Sequence, residues 1–352
     1  MDATAALSRK PERLPLLDGM RGIAALVVLN YHASAIKLID PVFPRGYLFV
    51  DFFFLLSGFV LALAAEPRLR QGLSAPTFLT QRVRRLWPVM AIGVAIATLP
   101  LAQNGNLVSS LALVVMAFLL LPALDRDGLV FPFNGPQWSL LLELVANAMH
   151  AAILVRLGRR GLFALVAVTG LVLAGAIAAH GANDLGASGR DWWLGIARVL
   201  YSYGFGVLLA RERQSGHPLG RLKCRWTVAV VLPVLAVVGL PLLPLPRAVG
   251  DIAVTLIVLP ACFAFAVNAE LPARFVPTFA GLGLLSYPLY ATHLPILTVV
   301  SMNLPRETGA WIGPALALFA AAGIAHLLEV PRGWRRSRPV LEGETRPSRG
   351  LT

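Results

Sequence analysis

The chain has 352 residues, of which 57% are hydrophobic and only 14% charged, and its mean hydropathy is +0.71. Apolar runs of about 17 residues or more recur along nearly the whole length, which excludes soluble domains, a disordered chain and a disulfide-stapled scaffold and makes this a membrane protein. Thirty-one basic residues against eighteen acidic ones leave +13. The Lys and Arg gather in short loops between apolar runs, the pattern of an inner-leaflet bias rather than of nucleic-acid binding.

Taken in chain order, Arg9, Lys10, Arg13 and Arg21 precede an apolar stretch interrupted by Asn30 and His32, with no small-residue cleavage site after it. Residues 22–39 therefore read as a retained first span. Further candidates lie near 47–65, 86–102, 107–124, 138–155, 162–179, 193–210, 227–245, 252–268, 279–300 and 310–328, eleven in all. The basic stretches are the N-terminal tail, Arg68 to Arg85, Arg156 to Arg160, Arg211 to Arg225 and the tail from Arg332, and the positive-inside tendency puts all five in the cytoplasm. Three candidates between Arg85 and Arg156 would break that parity. The expected fold is thus all-α, a polytopic helix bundle of about ten transmembrane helices with both termini cytoplasmic, plus one short or re-entrant segment in 86–124. Residues 1–21 are expected to form a cytoplasmic tail, 22–331 the integral-membrane domain and 332–352 a polar basic tail. Cys224 and Cys262 differ in depth and have no metal-ligand spacing, so neither a disulfide nor a metal is expected.

An ionisable group inside a span needs a partner, a cavity or a task. Arg21 and His32 are eleven positions apart, so they share one helical face about 16 Å apart. The structural alternative is an end-marking Arg and a bundle His. In the second span, GYLFVDFFFLLSGFV places Asp51 at the outer end and Ser57 with Gly58 near the middle, a pair suited to close helix packing. QRVRRLWP sets Arg82, Arg84 and Arg85 just before a span, suited either to bidentate phosphate recognition or to anchoring on anionic membrane lipid. WSLLLELVANAMH carries Ser139, Glu143, Asn147 and His150 at steps of four, four and three, one polar stripe on an apolar helix. Glu143 is the strongest single candidate. LLSYPLYATHLPIL adds Ser286, Tyr290 and His293, with Pro288 and Pro295 able to free backbone carbonyls.

In order from residue 16 to residue 331, these strings resemble the acyltransferase-3 family of multispan membrane O-acyltransferases. LLDGMRGIAALVVLNYHA resembles its first-span signature through Arg21 and His32, FFFLLSGFV its second, RVRRLWP its two arginines three apart, and WSLLLE its Trp-Ser to Glu motif. SYPLYATH and the terminal EVP are similar to its closing motifs. The family's usual second acidic residue is Leu144 here.

The resemblance implies transfer of an acyl group, commonly acetyl, from acyl-coenzyme A to a hydroxyl of a carbohydrate or lipid-linked glycan, in what would be a bacterial inner membrane. Some relatives carry an extracytoplasmic esterase-like domain, and here acyl delivery is expected to be completed within the membrane unit or by a separate partner. Arg82 and Arg85, with Arg84, are expected to hold the donor phosphates and Arg21 to seat the donor. His32 is expected to act as general base or transient acyl carrier, with Glu143 orienting it. Ser139, Tyr290, His293 and Ser286 are expected to bind substrate. The competing class is a proton-coupled transporter or flippase using His32, Glu143 and His293 as a relay.

Overall fold

The structure, a computed structural model, describes residues 14–124 and 128–329. Arg9, Lys10, Arg13 and the expected C-terminal tail lie outside these residues. Apart from one isolated bridge between Leu129 and Ser188, no strand forms among the described residues, and the architecture is helical. The first helix, α1 (Pro15–Ala35), starts earlier than the expected 22–39 because Pro15 supplies a helix-ready first residue, so Arg21 sits inside the helix rather than in a tail.

The chain continues through α2 (Phe49–Ala64), the short α3 (Glu66–Arg70), α4 (Ala75–Gln103), α5 (Leu111–Phe118), α6 (Gln137–Ala152) and α7 (Arg159–His180). It closes with α8 (Leu194–Gln214), α9 (Trp226–Gly239), α10 (Arg247–Ala253), α11 (Leu259–Ala266), α12 (Val276–Asn303) and α13 (Arg306–Ile324). Of the eleven expected stretches, 107–124 is the one that falls far short of a span. It holds only the eight residues of α5, about 12 Å of helix against a ~30 Å hydrocarbon core. The Trp87 indole on α4 donates to Phe118 O at 2.9 Å and ties that short helix down.

Seven helices among the described residues are long and apolar enough to cross a membrane: Gly46–Ala64, Ala75–Gln103, Gln137–Arg156, Arg159–His180, Arg247–Ala266, Ala273–Asn303 and Arg306–Leu328. The expected ten are not reached by length and apolarity alone, and the reason is chemical. Helices α1 and α8 have 21 residues each but spend positions on Arg21, Asn30 and His32, and on Arg198, Arg211 and Glu212. The apolar stretch Trp226–Leu242 stops at 17 residues.

Small residues set the closest packing. A Cβ on Gly58 would lie 2.1 Å from Tyr203 O, and one on Gly206 2.1 Å from Leu55 O, so α2 and α8 meet backbone to backbone. The expected packing role of Gly58 is seen directly. Helices α1 and α12 run side by side in the same direction, with Gly19 against Phe279 and Gly22 against Leu282.

Prolines inside the spans leave carbonyls without helical donors, and side chains supply the missing protons. Pro260 frees Leu256 O beside the π-helical turn Val254–Val258, and the Tyr201 hydroxyl donates to it at 2.9 Å. Pro295 frees Ala291 O, which takes the Asn134 amide at 3.0 Å.

Two buried polar networks brace the bundle. At the end opposite Arg82, Arg198 and Asp51 are both fully buried and joined at 2.8 Å, with Ser202 donating to Asp51 at 3.0 Å and Asn183 at 3.3 Å. At the basic end, Glu66 accepts from Arg211 at 2.6 Å and from His150 at 3.0 Å. Burial opposes the charge on Glu66, but the His150 and Arg211 hydrogen bonds outweigh it and hold the carboxyl below its ordinary range.

Candidate functional site

At the basic end, five segments converge on one pocket, with ≈ 750 Å³ of empty space counting the part open to solvent. Arg21 enters from α1, Phe53 and Ser57 from α2, Arg82 and Arg85 from α4, Ser139 and Glu143 from α6, and Ser286, Tyr287 and Tyr290 from α12. Helical spacing explains the selection. Arg82 and Arg85 stand three apart and share a face, whereas Arg84 at two from Arg82 turns roughly 200° away and is exposed outside the pocket wall. Of the three expected donor-site arginines, the structure brings together two.

Two of the three pocket cations, Arg21 and Arg82, are held by hydrogen bonds to neighbours. Arg21 donates from Nε to Ser286 Oγ at 2.7 Å and from Nη2 to Gly283 O at 2.6 Å. Arg82 donates from Nη2 to Glu143 Oε1 at 2.9 Å, and Ser57 donates to the same oxygen at 2.7 Å. This is the first correction to the sequence reading: Glu143 is paired with Arg82 and Ser57, not with His32. A carboxylate half-buried in an apolar bundle takes the nearest cation. The second concerns Ser57, which lines the pocket and fixes Glu143 instead of serving only helix packing.

Ser139 and Tyr290 meet at 2.6 Å. Ser139 spends its proton on Pro136 O at 3.0 Å, so the Tyr290 hydroxyl is the donor between them. Tyr290 thus closes one wall of the pocket, its ring 5.0 Å from that of Phe53.

One turn further along α12 lies His293, 6.0 Å from Tyr290 between ring centroids, and beside it His32 from α1. Neither imidazole lines the pocket itself. Their hydrogen bonds settle the tautomers. A carbonyl only accepts, so His293 Nδ1 carries a proton for Leu289 O at 2.9 Å, and its Nε2 is a lone pair. That lone pair faces His32 Nδ1 at 3.0 Å, and Val28 O lies 3.0 Å from the same nitrogen. Two acceptors on one nitrogen place the proton there. In the neutral ring, His32 Nε2 is then left unprotonated.

Residues 14–330 match the acyltransferase-3 family model, whose description is an acyltransferase domain. The chain belongs to the acyltransferase-3 family. It is an acyltransferase, acting on groups other than amino-acyl groups, which decides against the transporter class. Among similar proteins, exopolysaccharide production protein ExoZ of Rhizobium meliloti is 26% identical over 306 residues, 85% of this chain and 90% of that protein. Protein 2 in picA locus of Rhizobium radiobacter is 37% identical over 185 residues, 46% of this chain and 94% of its own length. Peptidoglycan O-acetyltransferase OatA of Listeria monocytogenes is 30% identical over 101 residues, 28% of this chain and 15% of OatA. No solved structure matches.

Within this acyltransferase-3 chain, the residues that sequence reasoning missed at the pocket are Ser57, Phe53 and Tyr287. The Tyr287 hydroxyl donates to Leu86 O across to α4. The available signal for Tyr287 is its place three residues before Tyr290, on the same helical face.

Proposed function

We propose that the chain moves an acyl group, acetyl first among them, from acyl-coenzyme A to a hydroxyl of a carbohydrate or lipid-linked glycan. The proposal includes a bacterial inner membrane, ten crossings with α1, α8 and α9 added to the seven apolar spans, and the basic end facing the cytoplasm. The observation that carries it is the placing of an imidazole pair, with His32 Nε2 unprotonated, one turn of α12 beyond Tyr290 in the wall of a three-arginine pocket.

Arg82, Arg85 and Arg21 offer guanidinium forks to the donor's phosphates, a match of planar charged donors to tetrahedral anions. Glu143 and Ser57 hold Arg82 in place before the donor arrives. His32 Nε2 removes the acceptor hydroxyl proton while the oxygen attacks the thioester carbonyl. The carbon–sulfur bond breaks, the ester forms, and the imidazolium returns its proton to the departing thiolate. His293 supports this step from behind by accepting the His32 Nδ1 proton bond, which keeps the reactive nitrogen at Nε2.

The test is acyl transfer from radiolabelled acetyl-coenzyme A to extracted cell glycans, in membranes with and without the protein. Label should appear in glycan only with the protein present and should vanish with His32→Ala. Equal labelling in both membranes would overturn the proposal.

A further inference from the structure

The hydroxyls in the wall of the basic pocket differ in where their protons go. Ser57 donates to Glu143 Oε1 at 2.7 Å, Ser139 to Pro136 O at 3.0 Å, Ser286 to Gly283 O at 2.7 Å and Tyr287 to Leu86 O. Each of those acceptors is a carboxylate or a peptide carbonyl. Tyr290 differs from the other four: its hydroxyl donates to another hydroxyl, Ser139 Oγ, at 2.6 Å. A hydrogen bond to a charged oxygen is roughly twice as strong as one between neutral groups, so the Tyr290 proton is the one an incoming anionic oxygen can draw away.

The wall is also layered. Along α12, Ser286 meets Arg21, Tyr290 stands four residues further and His293 three beyond that, rises of about 6 Å and about 4.5 Å. Ser57 and Glu143 meet beside Arg82, whereas Phe53 and Ser139, each four residues away on its own helix, meet Tyr290. The cations thus occupy one layer, and Tyr290 occupies the next one toward the imidazole pair, its ring centroid 6.0 Å from that of His293. In acyl-coenzyme A, phosphates and thioester lie at opposite ends of the pantetheine arm. A donor gripped by the arginines therefore extends its thioester toward the Tyr290 layer.

We propose that Tyr290 is the oxyanion donor of the transfer, an assignment that rests on the acyl-transfer reading above. As the acceptor oxygen bonds to the thioester carbonyl carbon, the carbonyl electron pair moves onto its oxygen. The Tyr290 hydroxyl turns from Ser139 to that oxyanion and keeps its own proton throughout. When the pair returns, the carbon–sulfur bond breaks and the thiolate takes the proton held by His32. Tyr290 is buried, its ring 5.0 Å from that of Phe53, so its dipole is in position before the charge develops. Ser139 is the resting partner that the substrate oxygen replaces.

The experiment is labelled acetyl transfer from acetyl-coenzyme A to glycan in membranes with matched protein levels, kcat and donor KM being read separately. Tyr290→Phe keeps the ring in the wall and removes the hydroxyl, so kcat should fall about 10²–10³-fold while the donor KM stays within about twofold. Ser139→Ala breaks the same resting hydrogen bond but spares the phenol, and should cost about fivefold, the worth of one net hydrogen bond. Equal losses in the two variants would show that the bond only braces α6 against α12 and would overturn the assignment. Thermal unfolding in detergent reports whether each variant is folded. If Tyr290→Phe is not, fluorinated tyrosines at position 290 take its place: kcat should rise with phenol acidity while the phenol stays protonated, and a flat series would overturn the assignment. No transfer by the unaltered protein would overturn the acyl-transfer reading and this assignment with it, whereas Tyr290→Phe turning over like the unaltered protein would overturn this assignment alone.

Discussion

Replacing His293 separates two roles that the imidazole pair could divide between its rings. His32 Nδ1 has two acceptors, Val28 O and His293 Nε2, each at 3.0 Å. His293→Leu removes one of them in a fully buried site and leaves the backbone acceptor in place. The loss is one net hydrogen bond, ~1 kcal/mol, or about fivefold in kcat, with KM for the donor unchanged. His32→Ala removes the proton acceptor itself and should cost about 10²–10⁴-fold. His293→Gln, whose amide oxygen reaches toward the Nε2 position, should recover most of the fivefold loss. The assay is labelled acetyl transfer to glycan in membranes with matched protein levels. If His293→Leu is as inactive as His32→Ala while remaining folded, or if His32→Ala turns over normally, the assignment of base and supporting ring is wrong.

Arg82→Gln and Arg85→Gln should each raise the donor KM about tenfold or more by losing a charge-assisted phosphate contact, whereas Arg84→Gln should stay within about twofold; donor titrations that rank Arg84 with the other two would sink the pocket assignment. Asp51→Asn leaves the buried Arg198 charge uncompensated and should destabilise the bundle by about 3–5 kcal/mol. Thermal unfolding in detergent checks this, and Asp51→Leu with Arg198→Met should recover most of the loss. For Glu66, a carboxyl held below its ordinary value of 4.5 contributes stability that is complete above that value and disappears as pH falls through the lower folded-state value. Acid unfolding of Glu66→Gln should lose that component of the pH dependence, and an identical acid profile would remove Glu66 from the account.

Much of the pocket was legible because polar residues stand out on apolar helices. The stripe from Ser139 through Glu143 to His150 follows helical spacing, and all of it faces inward, although it serves two different sites. Ser139 and Glu143 reach the pocket, while His150 pairs with Glu66. Partnership was not legible. Glu143 meets Arg82 across 61 residues and Asp51 meets Arg198 across 147, and no local spacing encodes which cation arrives first. Arg84 shows the opposite error: composition groups it with Arg82 and Arg85, whereas the turn of α4 separates it from them. The shortness of α5 was anticipated only through charge parity along 86–124, since its residues are as apolar as those of any span.

The Asn134 amide answers a carbonyl that proline leaves bare one half-turn before His293. Anyone swapping the segment around 128–136 between relatives to redirect acceptor choice would therefore be editing the support of α12 as well. A chimera lacking an amide at that position would strand a polar atom in the dry interior, at about 1–3 kcal/mol, two residues from His293. Such grafts need to keep Asn134 even when every residue around it is exchanged.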